Sequence, residues 1–183
     1  FGEPVLREPG KPVTVFDAAL MRLAEDMLET MYEAEGIGLA AQQIGIPLRL
    51  CVIDLQLGRQ APSFAYTLDG KSPPLDLFMP MALANPLVTP EPSRPVPYEE
   101  GCLSFPEVRG DVIRPQRITV KFQDLHGHPH VLTTGGLLAR VIQHEVDHLD
   151  GVLFIDRMDD DTRKSLDSRI RKIQREGRSR KKQ

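Results

Sequence analysis

Apolar positions along the chain follow two patterns, one at helical spacing and one confined to short runs. Phe16, Leu20, Leu23, Met27, Leu28 and Met31 recur at helical intervals, with Asp17 near the start and Gly36 just past the end. This predicts an amphipathic helix from about Thr14, its Met and Leu stripe turned to the core. Ahead of it, Pro4, Pro9, Gly10 and Pro12 make Phe1 to Val15 an extended arm. Leu48 to Leu55 predicts a strand with Cys51 buried inside it, and Met81 to Val88 predicts another. Four prolines make Thr89 to Pro97 extended and stiff. Val108 to Ile113, Arg117 to Gln123 and His130 to Thr133 read as antiparallel strands. Asp124 to Pro129 is a turn between the last two, with His126, His128 and His130 as exposed turn histidines.

The rest of the pattern is punctuation and two more helical segments. Gly36 to Gly45 is a glycine-rich turn, and its spacing fails as a dinucleotide fingerprint. Gly58 to Pro80, rich in proline, glycine and polar residues, predicts a mobile surface excursion. Leu137 to Ile142 is an apolar, helix-compatible run that leads into Gln143-His144-Glu145-Val146-Asp147-His148 and is closed by Gly151. Val152 to Ile155 reads as a short extended piece, and Asp159-Asp160-Asp161-Thr162 opens a final helix. The expected architecture is a single α+β domain over 1–183. Antiparallel β-sheets surround a central HExxH helix, with an N-terminal helix nearby and a C-terminal helix over about 160–183.

Composition changes this picture little. The length of 183 residues suits one domain with a substantial core, and no apolar run is long enough to span a bilayer. Two cysteines, Cys51 and Cys102, are too few for a secreted disulfide scaffold. The chain opens at Phe1 without a methionine, so an upstream piece is expected to have been removed or to be missing here. The net charge of −3 names no partner, but the last helix is strongly basic, carrying Arg169, Arg171, Lys172, Arg175, Arg178, Arg180, Lys181 and Lys182. Two readings stand open there: a solvated, fraying tail, or a docking surface for a phosphate-rich partner such as RNA.

The chemistry lies in the HExxH stretch. His144 and His148 are four residues apart, which places both imidazoles on one helix face where they can share a metal ion. Glu145 stands beside them, where a carboxylate can take a proton from water activated by such an ion. Two ligands are incomplete, and no histidine follows His148, so a third must come from upstream or from a later carboxylate. Cys102, in Glu99-Glu100-Gly101-Cys102-Leu103-Ser104, is either a half-buried structural cysteine or a thiolate ligand. HExxH alone also suggests a zinc endopeptidase, and a metal used only as a brace is a further reading.

Three segments together resemble the peptide deformylases, whose signatures have the forms GxGLAAxQ, EGCLS and QHExDHLxG. They stand here at Gly36 to Gln43, Glu100 to Ser104 and Gln143 to Gly151. The resemblance implies a metallohydrolase that removes the N-formyl group from the formyl-methionine of newly synthesised polypeptides. It implies Cys102, His144 and His148 as metal ligands, with Glu145 as general base and acid toward metal-activated water. Gln43 and the Leu103 N–H would hold the oxyanion, Gly38 would contact the substrate backbone, and Ile37, Leu137 and Val141 would line the methionine pocket. The implied cofactor is one divalent ion, Fe²⁺ natively, with Zn²⁺, Ni²⁺ or Co²⁺ able to substitute. Formylated nascent chains are the expected partner, with the ribosome engaged through the basic C-terminal helix, and no membrane or DNA. The expected setting is the bacterial cytoplasm, or a mitochondrion or plastid after removal of a transit peptide.

Overall fold

The computed structural model describes residues 2–57 and 63–180; the predictions for 58–62 and for 181–183 lie outside the described residues. The helices are α1 (Ala18–Glu33), α2 (Gly136–Leu149) and α3 (Asp160–Arg180). The strands are β1 (Gly38–Ala40), β2 (Leu50–Ile53), β3 (Tyr66–Leu68), β4 (Met81–Pro90), β5 (Val96–Cys102), β6 (Phe105–Arg114), β7 (Arg117–Gln123) and β8 (Pro129–Gly135). Six of them form an antiparallel sheet in the order β1-β2-β4-β7-β8-β3, while β5 and β6 form a separate hairpin. This is the expected α+β arrangement around the HExxH helix.

Side-chain alternation along β2 explains why its four residues are all buried. Cys51 and Ile53 face the core built on α2, while Leu50 and Val52 face the core built on α1. The strand is therefore covered on both faces and reads as a continuous apolar run. On α1, Leu20, Ala24, Met27 and Met31 are buried, and the Asp17 carboxylate caps the helix by accepting from Ala19 N at 2.9 Å and Leu20 N at 3.0 Å. A third core joins Phe105, Val108 and Val112 of the hairpin to Leu153, Phe154, Ile155 and Met158 and to Ile170 of α3. The N-terminal arm is tied down at Asn85, which accepts from Val13 N at 2.8 Å and donates to Val13 O at 2.9 Å.

Several expectations are corrected. The 58–80 excursion is not merely a loop: β3 pairs with β8, and Tyr66 packs between Phe64 and Phe78. Aromatic packing and strand pairing offset the cost of ordering a proline-rich stretch. Glycine-rich 36–45 contributes edge strand β1 and a 3-10 turn, Ala41–Ile44, instead of a plain turn. Phe154–Asp156 is likewise a 3-10 turn and not an extended piece. His130 lies within β8, half-buried beside Phe122, because strand pairing with β7 runs as far as Pro129. The C-terminal helix is not simply a solvated tail, since Ile170 is 4 % exposed and the Arg169 guanidinium donates to Glu107 O at 2.7 Å.

Candidate metal centre and cleft

The site is assembled from three elements. Helix α2 is almost wholly buried and presents His144, Glu145 and His148. The β5–β6 hairpin turns tightly, with Cys102 paired to Phe105 across Leu103 and Ser104. Cys102 thus stands at the last position of β5. The third element is β1 with the turn that follows it, which brings in Gly38 and Gln43.

These elements bring the predicted ligands together. One donor atom from each of Cys102, His144 and His148 lies within 4.8 Å of the others, and this is the metal-capable group among the described residues. The Cys102 Sγ is 3.2 Å from His148 Nε2. His144 Nδ1 is 3.0 Å from Glu100 Oε2, which leaves its Nε2 as the nitrogen free to ligate. A thiolate and two imidazoles, of which Cys102 and His144 line an open cleft, suit a divalent transition-metal ion that retains room for water. The Gln43 amide points at the same place, donating to Cys102 Sγ at 3.5 Å and Ser104 Oγ at 3.3 Å. Its Oε1 is held by Ala40 N at 2.8 Å.

A cleft of about 790 Å³ opens beside these groups. Ile37, Gly38, Gln43, Leu103, Leu137, Val141 and Glu145 all line it, so every residue predicted outside the ligand set reaches one cavity. Strand β1 forms an edge of the sheet beside it. Ile37 O accepts from Asp54 N at 3.1 Å on the β2 side, so antiparallel alternation turns the Gly38 backbone groups outward along the free edge. Glu145 is 3 % exposed, and its Oε2 has no hydrogen-bond partner among protein atoms. Burial pushes its carboxyl up to about 7 against the pull of His144 and Arg114.

Around the ligands lies a buried charge network that sequence reasoning missed. Arg114 donates to Glu100 Oε1 at 2.7 Å and Oε2 at 3.0 Å, and to Asp147 Oδ2 at 2.7 Å. Arg140 reaches Glu100 Oε1 at 2.7 Å, and Arg157 holds Asp147 Oδ1 at 2.7 Å. Burial disfavours the Glu100 charge, but hydrogen bonds from His144 and Arg114 outweigh it and hold the carboxyl at about 2. Burial likewise opposes protonation of His144, yet its contacts with Cys102 and Glu100 raise it to about 10. In His148 the same effect of burial prevails and holds the imidazole well below its usual value, with the charges of His144 and Arg114 adding to it. One signal could have exposed the network: Arg140 interrupts an otherwise apolar buried helical run, and a buried guanidinium demands acceptors.

The fold and site define a metallohydrolase-type centre with Cys-His-His donors and an adjacent glutamate. A sequence model of the polypeptide deformylase family matches residues 1–164, and the chain belongs to this family. It is 58% identical over 174 residues to a peptide deformylase of Opitutus terrae, covering 94% of this chain and 90% of that one. The solved peptide deformylase of Synechococcus elongatus in complex with actinonin superposes with a TM-score of 0.76 at 43% identity, covering 91% and 83% of the two chains. That of Thermus thermophilus gives 0.78 at 39% identity, covering 96% and 95%.

Proposed function

We propose that this chain removes the formyl group from the formyl-methionine that begins new polypeptides, releasing formate. The observation that carries this reading is the convergence of the Cys102, His144 and His148 donors with Glu145 and the open β1 edge in one cleft. When bound there, a divalent ion supplies Lewis acidity toward a water molecule and toward the formyl oxygen. Glu145 takes the proton from the attacking water and delivers one to the departing amine. The Gln43 amide and the Leu103 N–H stabilise the formyl oxygen as it gains negative charge. Substrate backbone pairs along β1 at Gly38, and Ile37, Leu137 and Val141 receive the methionine side chain. Recognition through backbone and one side chain admits many different nascent chains.

Fe²⁺ is the native ion in this reading, with Zn²⁺, Ni²⁺ and Co²⁺ also suited to a thiolate and two imidazoles. The catalytic unit is one domain, with the basic end of α3 docking the enzyme to ribosomal RNA in the bacterial cytoplasm. Bacterial relatives support that setting, and no helix among the described residues is long and apolar enough to cross a membrane. The test is formate release from formyl-Met-Ala-Ser by anaerobically prepared protein, with metal content assayed on the same sample. Release should be abolished by Glu145→Gln and blocked by actinonin, the compound bound by the Synechococcus relative. No release from fully metallated protein would reject the assignment.

A further inference from the structure

The proposed ligands come from two separate bodies: Cys102 from the β5–β6 hairpin, His144 and His148 from α2. Their mutual placement depends on whatever joins hairpin to helix. Arg140 lies one helical turn before His144 and is only 8 % exposed. Its guanidinium donates through Nη1 to Glu100 Oε1 at 2.7 Å and to Val112 O at 2.9 Å, and through Nη2 to Val96 O at 2.9 Å. One side chain on the helix thus grips both strands of the hairpin. It also lies over the ring of Tyr98, 5.3 Å from the centroid, at the wall of the cleft.

Its most consequential partner is Glu100. That carboxylate offers Oε1 to Arg140 and Oε2 to His144 Nδ1 at 3.0 Å. At Oε1 Arg140 adds to the two-point hold of Arg114 on Oε1 and Oε2, and the carboxylate plane they fix together decides whether Oε2 meets the imidazole squarely. A well-seated Nδ1–H bond in turn orients the ring and keeps Nε2 aimed at the ligand position. Arg114 also holds Glu100, through both oxygens, but it belongs to the hairpin and reaches the helix only through Asp147. Arg140 and His144 are the two α2 residues that bond Glu100 directly.

We propose that Arg140 is a positioning residue of the metal centre, holding Glu100 against His144 and locking the Cys102 hairpin to the helix that carries both histidines. The inference rests on the metal-site reading above. A lysine cannot reproduce the grip, because its three donors share one nitrogen whereas these acceptors are reached from both terminal nitrogens of a planar guanidinium.

The experiment loads wild-type, Arg140→Met and Arg140→Lys proteins with one equivalent of Zn²⁺ and follows release to excess chelator well below the melting temperature. Circular dichroism on the same samples reports folding. Arg140→Met is expected to release Zn²⁺ about tenfold faster or more, the range found for lost outer-shell contacts, with a native spectrum, and Arg140→Lys to fall between. A merely structural brace would lower the melting temperature and leave release from the folded protein unchanged, which would overturn the proposal. Where Arg140→Met does not fold, wild-type release by Arg140→Lys overturns it equally. In a Glu100→Gln background Arg140→Met should add less than it does in wild type, because the Glu100 contact they share is already altered while the grip on Val96 and Val112 is not; fully additive effects reject the route through Glu100. Wild-type protein that fails to bind Zn²⁺ stoichiometrically would remove the metal reading itself.

Discussion

Gly38 lies so close to the Glu145 carboxylate that a β-carbon at position 38 would overlap Oε1 and come within 2.9 Å of Val141 Cγ1. Glycine here is a matter of space beside the proposed base. Gly38→Ala should push Glu145 off its position and lower kcat by about a hundredfold, since small misplacements at a reacting centre carry costs of that order. Metal content should be unchanged. Wild-type turnover in Gly38→Ala would show that the carboxylate has room to spare.

Cys102→Ala should lose bound metal, because two imidazoles on one helix do not complete a catalytic site. Glu145→Gln should retain it and lose turnover. Elemental analysis of both purified variants separates ligand from base, and wild-type stoichiometry in Cys102→Ala contradicts the assigned role.

His130 ties the end of β8 to the turn after β3, with Nδ1 2.7 Å from Asp69 Oδ2 and Nε2 3.5 Å from Asp124 Oδ2. Hydrogen bonding to Asp69 raises its pKa against a smaller opposing effect of burial, with Asp124 adding to the rise. A raised histidine stabilises fully below its unfolded value of about 6.5, and that stabilisation fades as pH rises through the folded value. Burial acts to raise Asp124, but backbone N–H groups of His128 and His126 outweigh it and hold the carboxyl at about 2. Its contribution is present above about pH 3.9 and is lost only as pH falls toward 2. The melting-temperature gap between wild type and His130→Asn should therefore be larger at about pH 5.5 than at about pH 8.5. A gap independent of pH would mean that the histidine acts only by packing.

The basic helix must be shortened with regard to its anchors. Cutting before Arg169 removes Ile170 from the core shared with Phe105 and Val108 and breaks the Arg169 contact to Glu107 near the Cys102 turn. Loss of a buried isoleucine alone costs about 2–5 kcal/mol when truncated to alanine, so such a protein should be unstable. Deletion from Arg175 onward spares both contacts. It should weaken ribosome binding in a sedimentation assay while formate release from free peptides is kept; undiminished binding rejects the docking role.

Capping of α1 offers a stability test remote from the site. Asp17→Ala removes the acceptor for two helix N–H groups and should destabilise by about 1 kcal/mol in urea titration.

Local spacing determined much of this protein. The i, i+4 histidines, the α1 stripe and most strands are legible because helix and strand periods act over a few residues, and the three deformylase-like segments named the family. Thr89 to Pro97 hid the start of β5, since prolines signal only extension and pairing depends on β6. The Tyr66 strand was lost in a polar stretch because its partner β8 is more than sixty residues away. Arg140 and Glu100 were visible as charges, one in an apolar run and one beside Cys102. What they do required the fold, because a buried charge is tolerable only against partners that tertiary packing supplies. The sequence thus determined which groups are the candidates for the chemistry. The tertiary structure decided how a hairpin and a helix are held close enough for those groups to share one ion.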